Sequence, residues 1–213
     1  MRTKCKMVYQ FIELDENAKE KAREWYRAGD DMSDVGGCAL DALAELCAAL
    51  RMELDATKIC WNVSWSQGDG SSFAARVNAA RLLDAIAADT YRQIIGDLDL
   101  PIPPALHRMV RELLTHEMAF INAACGKSSG FNGHYTLRTE HDIDCYGLDN
   151  DRHLRITAQL EALGKWAESV LDTINDWFFR ELRADIEFQS SDACIDEKIL
   201  ENEFEFDLCG NIA

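Results

Sequence analysis

The residues with chemistry in them gather in a few places. The first is Lys58–Asn78, KICWNVSWSQGDGSSFAARVN, where a Ser-Gln-Gly-Asp-Gly core puts Gln67, Asp69, Ser71 and Ser72 on one tight loop. An amide, a carboxylate and two hydroxyls suffice to hold a polar ligand. They are also what a turn uses: Gly68 and Gly70 accept positive φ cheaply, Asp69 is a common turn residue, and serine hydroxyls bond to nearby backbone. The loop lacks the Gly-Lys-Ser/Thr of a phosphate-binding loop, and no Gly-x-Ser-x-Gly precedes a helix as in a nucleophile elbow.

A second group has the residue types of a metal site. Glu112 and His116 stand one helical turn apart, and His134, Glu140, His141, Asp142 and Asp144 crowd one segment. Carboxylate and imidazole ligands suit a hydrolytic metal. The zincin signature H-E-x-x-H is absent, since "HEMAF" stops short of it, and the plain reading is a solvated acidic loop beside a helix-surface pair. Neither a metal nor another cofactor is expected. The eight cysteines, at 5, 38, 47, 60, 125, 145, 194 and 209, contain no C-x-x-C pair. They read as reduced core thiols, which points to a cytoplasmic protein.

The third group is charge. The chain has 38 acids against 22 bases, a formal net charge of −16. Ten acids lie between Glu181 and Asp207, opposed only by Arg183 and Lys198, and five lie between Glu140 and Asp151 with no lysine or arginine. Such a chain repels a phosphate backbone, so direct nucleic-acid binding is disfavoured, and it suits a partner protein with a basic surface. In the C-terminal stretch Glu197 and Glu201 are one helical turn apart, and Glu203 and Glu205 alternate with Phe204 and Phe206 as on a strand. These four glutamates, with Gln67, Asp69 and Ser71 of the loop, are the candidate binding residues. No catalytic residue is assigned.

Periodicity supplies the elements that must carry these groups. Met7, Tyr9 and Phe11 alternate as in a strand. Asp15 caps a helix over residues 16–29, and an Ala/Leu helix follows from about Cys38 to Leu50. Ile59, Trp61, Val63 and Trp65 then share one strand face, and Phe73, Ala75 and Val77 continue the alternation after the loop, which predicts a β-hairpin with those apolar residues facing the core. Helical signal runs from Ala79 to Gly96, and again from Pro103 and Pro104 to about Cys125. Tyr135 and Leu137 mark a short strand, and the acidic segment after it reads as irregular. From Asp151 a stripe through Ile156, Leu160, Leu163, Ala167, Val170, Ile174, Phe178 and Leu182 predicts a long central helix. A short helix after Ser190 or Ser191 and a strand over "EFEFDL" end the chain. A basic lead at residues 1–6 is followed by an apolar run broken at Gln10 and Glu13, so no signal peptide is expected, and no stretch approaches the roughly 18 apolar residues of a membrane span. The expected architecture is a single α+β domain over residues 1–213, a small, mainly antiparallel sheet packed against several helices.

Four stretches, FIELDENAKEKAREWYRAG, WSQGDGSSF, HYTLRTEH and FFRELRADIEFQSSDACIDEKILENEFEF, together resemble a family of small phage and prophage proteins, some labelled as antitoxins of toxin–antitoxin stability systems. The Ser-Gln-Gly-Asp-Gly core is the most specific part. The resemblance implies a phage origin and a host-cytoplasmic location, and it adds weight to a binding role for Gln67 and Asp69. It departs at the histidines around the family's third strand, where only His134 and His141 remain, which tells against a metal site. The expectation is therefore a non-enzymatic phage protein that binds and inhibits a host or toxin protein, such as a nucleic-acid-handling defence complex of the CRISPR type. The alternatives are an antitoxin, or a small metal-dependent hydrolase using Asp69 with His134 or His141.

Overall fold

The computed structural model describes residues 7–29, 36–64, 68–106, 120–127, 137–144 and 150–213. The fold is α+β. Among the described residues six strands form a two-stranded sheet, β1 (Tyr9–Gln10) with β6 (Glu205–Phe206), and a four-stranded sheet in the order β2 (Glu53–Asn62), β3 (Gly70–Asn78), β4 (Phe120–Lys127), β5 (Leu137–Asp144). Every pairing is antiparallel. The helices are α1 (Glu16–Gly29), α2 (Gly37–Ala49), α3 (Ala79–Ala87), a long helix Asn150–Gln189 and a last helix Asp192–Glu201.

The chain divides into two compact units, a smaller one of residues 1–37 and 183–213 and a larger one of residues 38–182. In the larger unit β3 alternates as its sequence demands from Phe73 onward: Phe73, Ala75 and Val77 are buried, with Ala74 and Arg76 less so. They join a core with Leu43, Leu46 and Leu50 from α2 and its end, Leu82 and Ile86 from α3, and Leu163, Val170, Leu171, Ile174, Phe178 and Leu182 from the long helix. The 3.6-residue stripe therefore buries as expected from Leu163 onward; Ile156 and Leu160 lie beyond the side chains described.

In the smaller unit α1 starts as predicted, with Asp15 Oδ1 accepting from Ala18 N at 2.8 Å. Ser191 caps the last helix by accepting from Cys194 N. Phe11, Leu14, Ala18, Ala22, Ile195, Ile199 and Phe206 form its core. An ionic clasp joins α1 to the last helix. The Arg23 guanidinium makes a two-pronged contact with Asp196, Nε to Oδ1 and Nη2 to Oδ2, both at 2.7 Å. Glu20 bridges Arg23 and Arg27, and Arg27 also pairs with Asp192. The bond to Asp196 raises the Arg23 pKa above the usual arginine value against the opposing pull of burial. The guanidinium also lies 5.8 Å over the Phe11 ring.

Several expectations change. The first strand is only Tyr9–Gln10, because Gln10 and Glu13 form a capping box that turns Phe11–Glu13 into a 3-10 turn. The helix from Ala79 stops at Ala87, where Asp89 takes φ 57 and a 3-10 turn over Thr90–Gln93 follows. Buried Tyr91 anchors that turn, its hydroxyl accepting from Leu100 N. The helix expected to reach Cys125 gives way to β4, and the acidic segment expected to be irregular is β5 through Asp144. The final strand is only Glu205–Phe206, since Glu203 takes φ 52 and Asp207 opens a turn. Phe206 is fully buried, whereas Leu208, two residues on in the predicted strand EFEFDL, is exposed. Of the cysteines described, all free, Cys47 and Cys194 are buried as expected, but Cys38, Cys60 and Cys209 are exposed. Among the described residues no helix is long and apolar enough to cross a membrane.

Candidate partner-binding surface

The C-terminal acids divide by residue type. The aspartates are used internally. Asp185 accepts from Gly36 N at 2.7 Å and from Gln189 Nε2. Asp192 and Asp196 hold Arg27 and Arg23. Asp207 Oδ1 accepts from Cys209 N and Asn211 N at 2.9 and 3.0 Å, closing the turn after β6. A short side chain keeps its carboxylate close to the backbone it caps, which is why aspartate serves these turns. The glutamates from Glu187 onward do the opposite. Glu197, Glu201, Glu203 and Glu205 are all exposed, and none of their carboxylates has a hydrogen bond or ion pair to a described residue. Glu187, which the sequence reading passed over, is exposed in the same way.

Glu197 and Glu201, one turn apart, share an exposed face of the last helix, away from buried Ile195 and Ile199. Glu205 lies in β6 opposite Gln10. Glu203 does not share a strand face with it as expected, because its left-handed backbone places it in the turn between helix and strand.

The hairpin is present, with Asn62 opposite Gly70 in register. Its end is held by Asp69, whose Oδ1 accepts from both the backbone N and the hydroxyl of Ser64 at 2.8 Å. Asp69 is half-buried. Ser71 is 6% exposed, and its hydroxyl donates to the carbonyl oxygen and Oδ1 of Asn175 on the long helix, at 3.3 and 3.1 Å. Asn175 itself is only 4% exposed, so the pair is a polar node inside the core. Gln67 and Trp65 lie outside the described residues. Val63 and Ile59 are half-buried against the core as expected, but Trp61 is 39% exposed. It is in register with Ser71, yet β2 is the edge strand, and its ladder is interrupted between Asp55 and Cys60. Within that irregularity Asp55 accepts from Thr57 N and Oγ1 and pairs with Lys58. The Thr57 hydroxyl is the main reason its carboxyl sits below the usual aspartate value. An interrupted edge strand is shielded from pairing with another chain, and it leaves Trp61 uncovered.

The register also bears on the alternative site. His141 pairs with Ala123, and Ala123 with Ala75. Ala75 lies five residues along β3 from Gly70, roughly 17 Å at about 3.3 Å per residue, and β5 lies two strands further across at about 4.8 Å each. Asp69 and His141 are thus held well apart. His134, Glu112 and His116 lie outside the described residues, and nothing is described of the side chains of Glu140, Asp142 and Asp144. Among the described residues no three His, Cys, Asp or Glu side chains gather as a metal site would need.

A family model, Domain of unknown function (DUF8835), matches residues 37–192, well over half of the chain. That segment holds the four-stranded sheet, the hairpin and the long helix, and it ends where the last helix begins. No curated protein matches the chain, and no solved structure matches it.

Proposed function

Since the chain belongs to the DUF8835 family, whose function is unknown, we propose its role from its own surface: it is a non-enzymatic binding protein whose exposed C-terminal glutamates engage a basic protein partner. The observation that carries this reading is the division of labour among the acids. The aspartates of the stretch are consumed by caps and ion pairs, while Glu197, Glu201, Glu203 and Glu205 face solvent with no described partner. The net charge of −16 supports the same reading, because an acidic surface steers a basic partner to it and turns phosphate backbones away. The resemblance to phage proteins narrows the partner to a host or toxin protein that handles nucleic acid, which the chain would inhibit by occupying a basic groove; a CRISPR-type effector and a toxin are the two classes in view. No further observation favours the hydrolase alternative.

The test is a comparison of the proteins recovered from host extract by the wild-type chain and by E197Q/E201Q/E203Q/E205Q. Single exposed pairs are worth only about 0.2–1 kcal/mol, so the four are changed together. A basic partner held by the wild type, released as salt rises and bound about tenfold more weakly by the variant, is the expected result. A partner held equally by both proteins at every salt concentration refutes the reading.

A further inference from the structure

The smaller unit also leaves apolar residues exposed. Nine large apolar side chains are exposed among the described residues, and seven of them, Met7, Val8, Ile12, Phe188, Leu200, Leu208 and Ile212, belong to the smaller unit. Along its C-terminal segment three of them, Phe188, Leu200 and Leu208, have an exposed glutamate close by in sequence. Phe188, 65% exposed, follows Glu187. Leu200, 44% exposed, shares the outer face of the last helix with Glu197 and Glu201 at the i, i+3, i+4 spacing. Leu208, 64% exposed, comes three residues after Glu205.

Exposed carboxylates supply orientation and association rate more than affinity, so a tight complex needs apolar area as well. Leucine and phenylalanine side chains left in water beside unpaired glutamates supply both. A second copy of this chain would bring the same negative charges to the contact and be repelled. The complementary surface has lysine or arginine flanking an apolar stripe, the pattern of a basic amphipathic helix.

Resting on the acidic surface proposed above, we infer that this mixed glutamate–leucine face of the smaller unit docks a basic amphipathic helix of its partner.

Two synthetic Lys/Leu peptides of about 18 residues and identical composition are the probes, one with leucines at i, i+3, i+4 and i+7, the other with the order scrambled. Binding is measured by fluorescence anisotropy at about 0.1 M salt, where the Debye length is about 10 Å. The wild-type chain is expected to bind the patterned peptide about tenfold more tightly than the scrambled one. L200S/L208S, in which only exposed residues change, is expected to lose that preference while keeping the weaker binding of the scrambled peptide. The quadruple glutamine variant is expected to lose affinity for both. Equal binding of the two peptides by the wild type, or a preference that survives in L200S/L208S, overturns the inference and leaves the acidic surface standing. A quadruple variant that binds both peptides as the wild type does overturns the acidic surface itself. Circular dichroism of each variant confirms that a loss is not unfolding.

Discussion

Gly210→Ala tests the packing that holds the proposed surface in place. Gly210 sits in the turn after β6 with φ 81, and a Cβ built there meets the Ala18 carbonyl oxygen at 2.0 Å and its carbonyl carbon at 2.8 Å. Ala18 is buried in α1, so the obstacle is helix backbone, and no side-chain rotation relieves it. The left-handed backbone costs an alanine about 1–2 kcal/mol. The overlap adds about 1–3 kcal/mol in the manner of overpacked cores. The expected loss is therefore about 2–5 kcal/mol, against the 5–15 kcal/mol by which domains are typically stable. Gly29→Ala, in the same unit, is the control: its Cβ meets nothing within 4 Å, and alanine is the better helix former by up to about 1 kcal/mol. Urea unfolding followed by circular dichroism reads both. With a slope of about 2–3 kcal/mol per molar, Gly210→Ala should lower the midpoint by about 1–2 M, while Gly29→Ala should leave it level or raised. A Gly210→Ala midpoint equal to the wild type would refute the close approach of the turn to α1.

Three further outcomes follow from the same contacts. Arg23→Ala leaves Asp196 without its two-pronged partner; because Asp196 keeps some exposure the loss should be about 1–3 kcal/mol, read by the same denaturation. Ser71→Ala removes the hydroxyl that meets Asn175 inside the core, so it should cost about 1–3 kcal/mol of stability and leave the binding of the patterned peptide unchanged; altered binding with unaltered stability would place Ser71 at the partner instead. In the native chain Cys38, Cys60 and Cys209 should react with a thiol reagent well before Cys47 and Cys194, read by peptide mapping. Burial pushes the Cys47 thiol up to about 12 from 9.0; because the unfolded thiol ionises first, its contribution to stability is complete below pH 9.0 and is lost as pH rises toward about 12.

Local signals alone determined the α+β class, the Asp15 and Ser191 caps, the hairpin and the long helical stripe, because each is written in near neighbours: a cap in three residues, a strand in period two, a helix in period 3.6. Partners distant in sequence decided the rest. FINAACGK reads as helix from its alanines, yet it is a strand because β3 and β5 both offer it a ladder. The acids of β5 read as loop, yet the same pairing extends them. Trp61 alternates as a core residue should, but whether an alternating face meets a core depends on which strand lies at the edge, and the chain folded β2 outermost. The acidic stretch itself was plain in the composition. Which of its carboxylates would be spent inside the fold was not, because Arg23 lies 173 residues from Asp196, and Gly36 lies 149 from Asp185. Charge is a property of residues, but its availability to a partner is left over after folding has satisfied its own buried and capping needs.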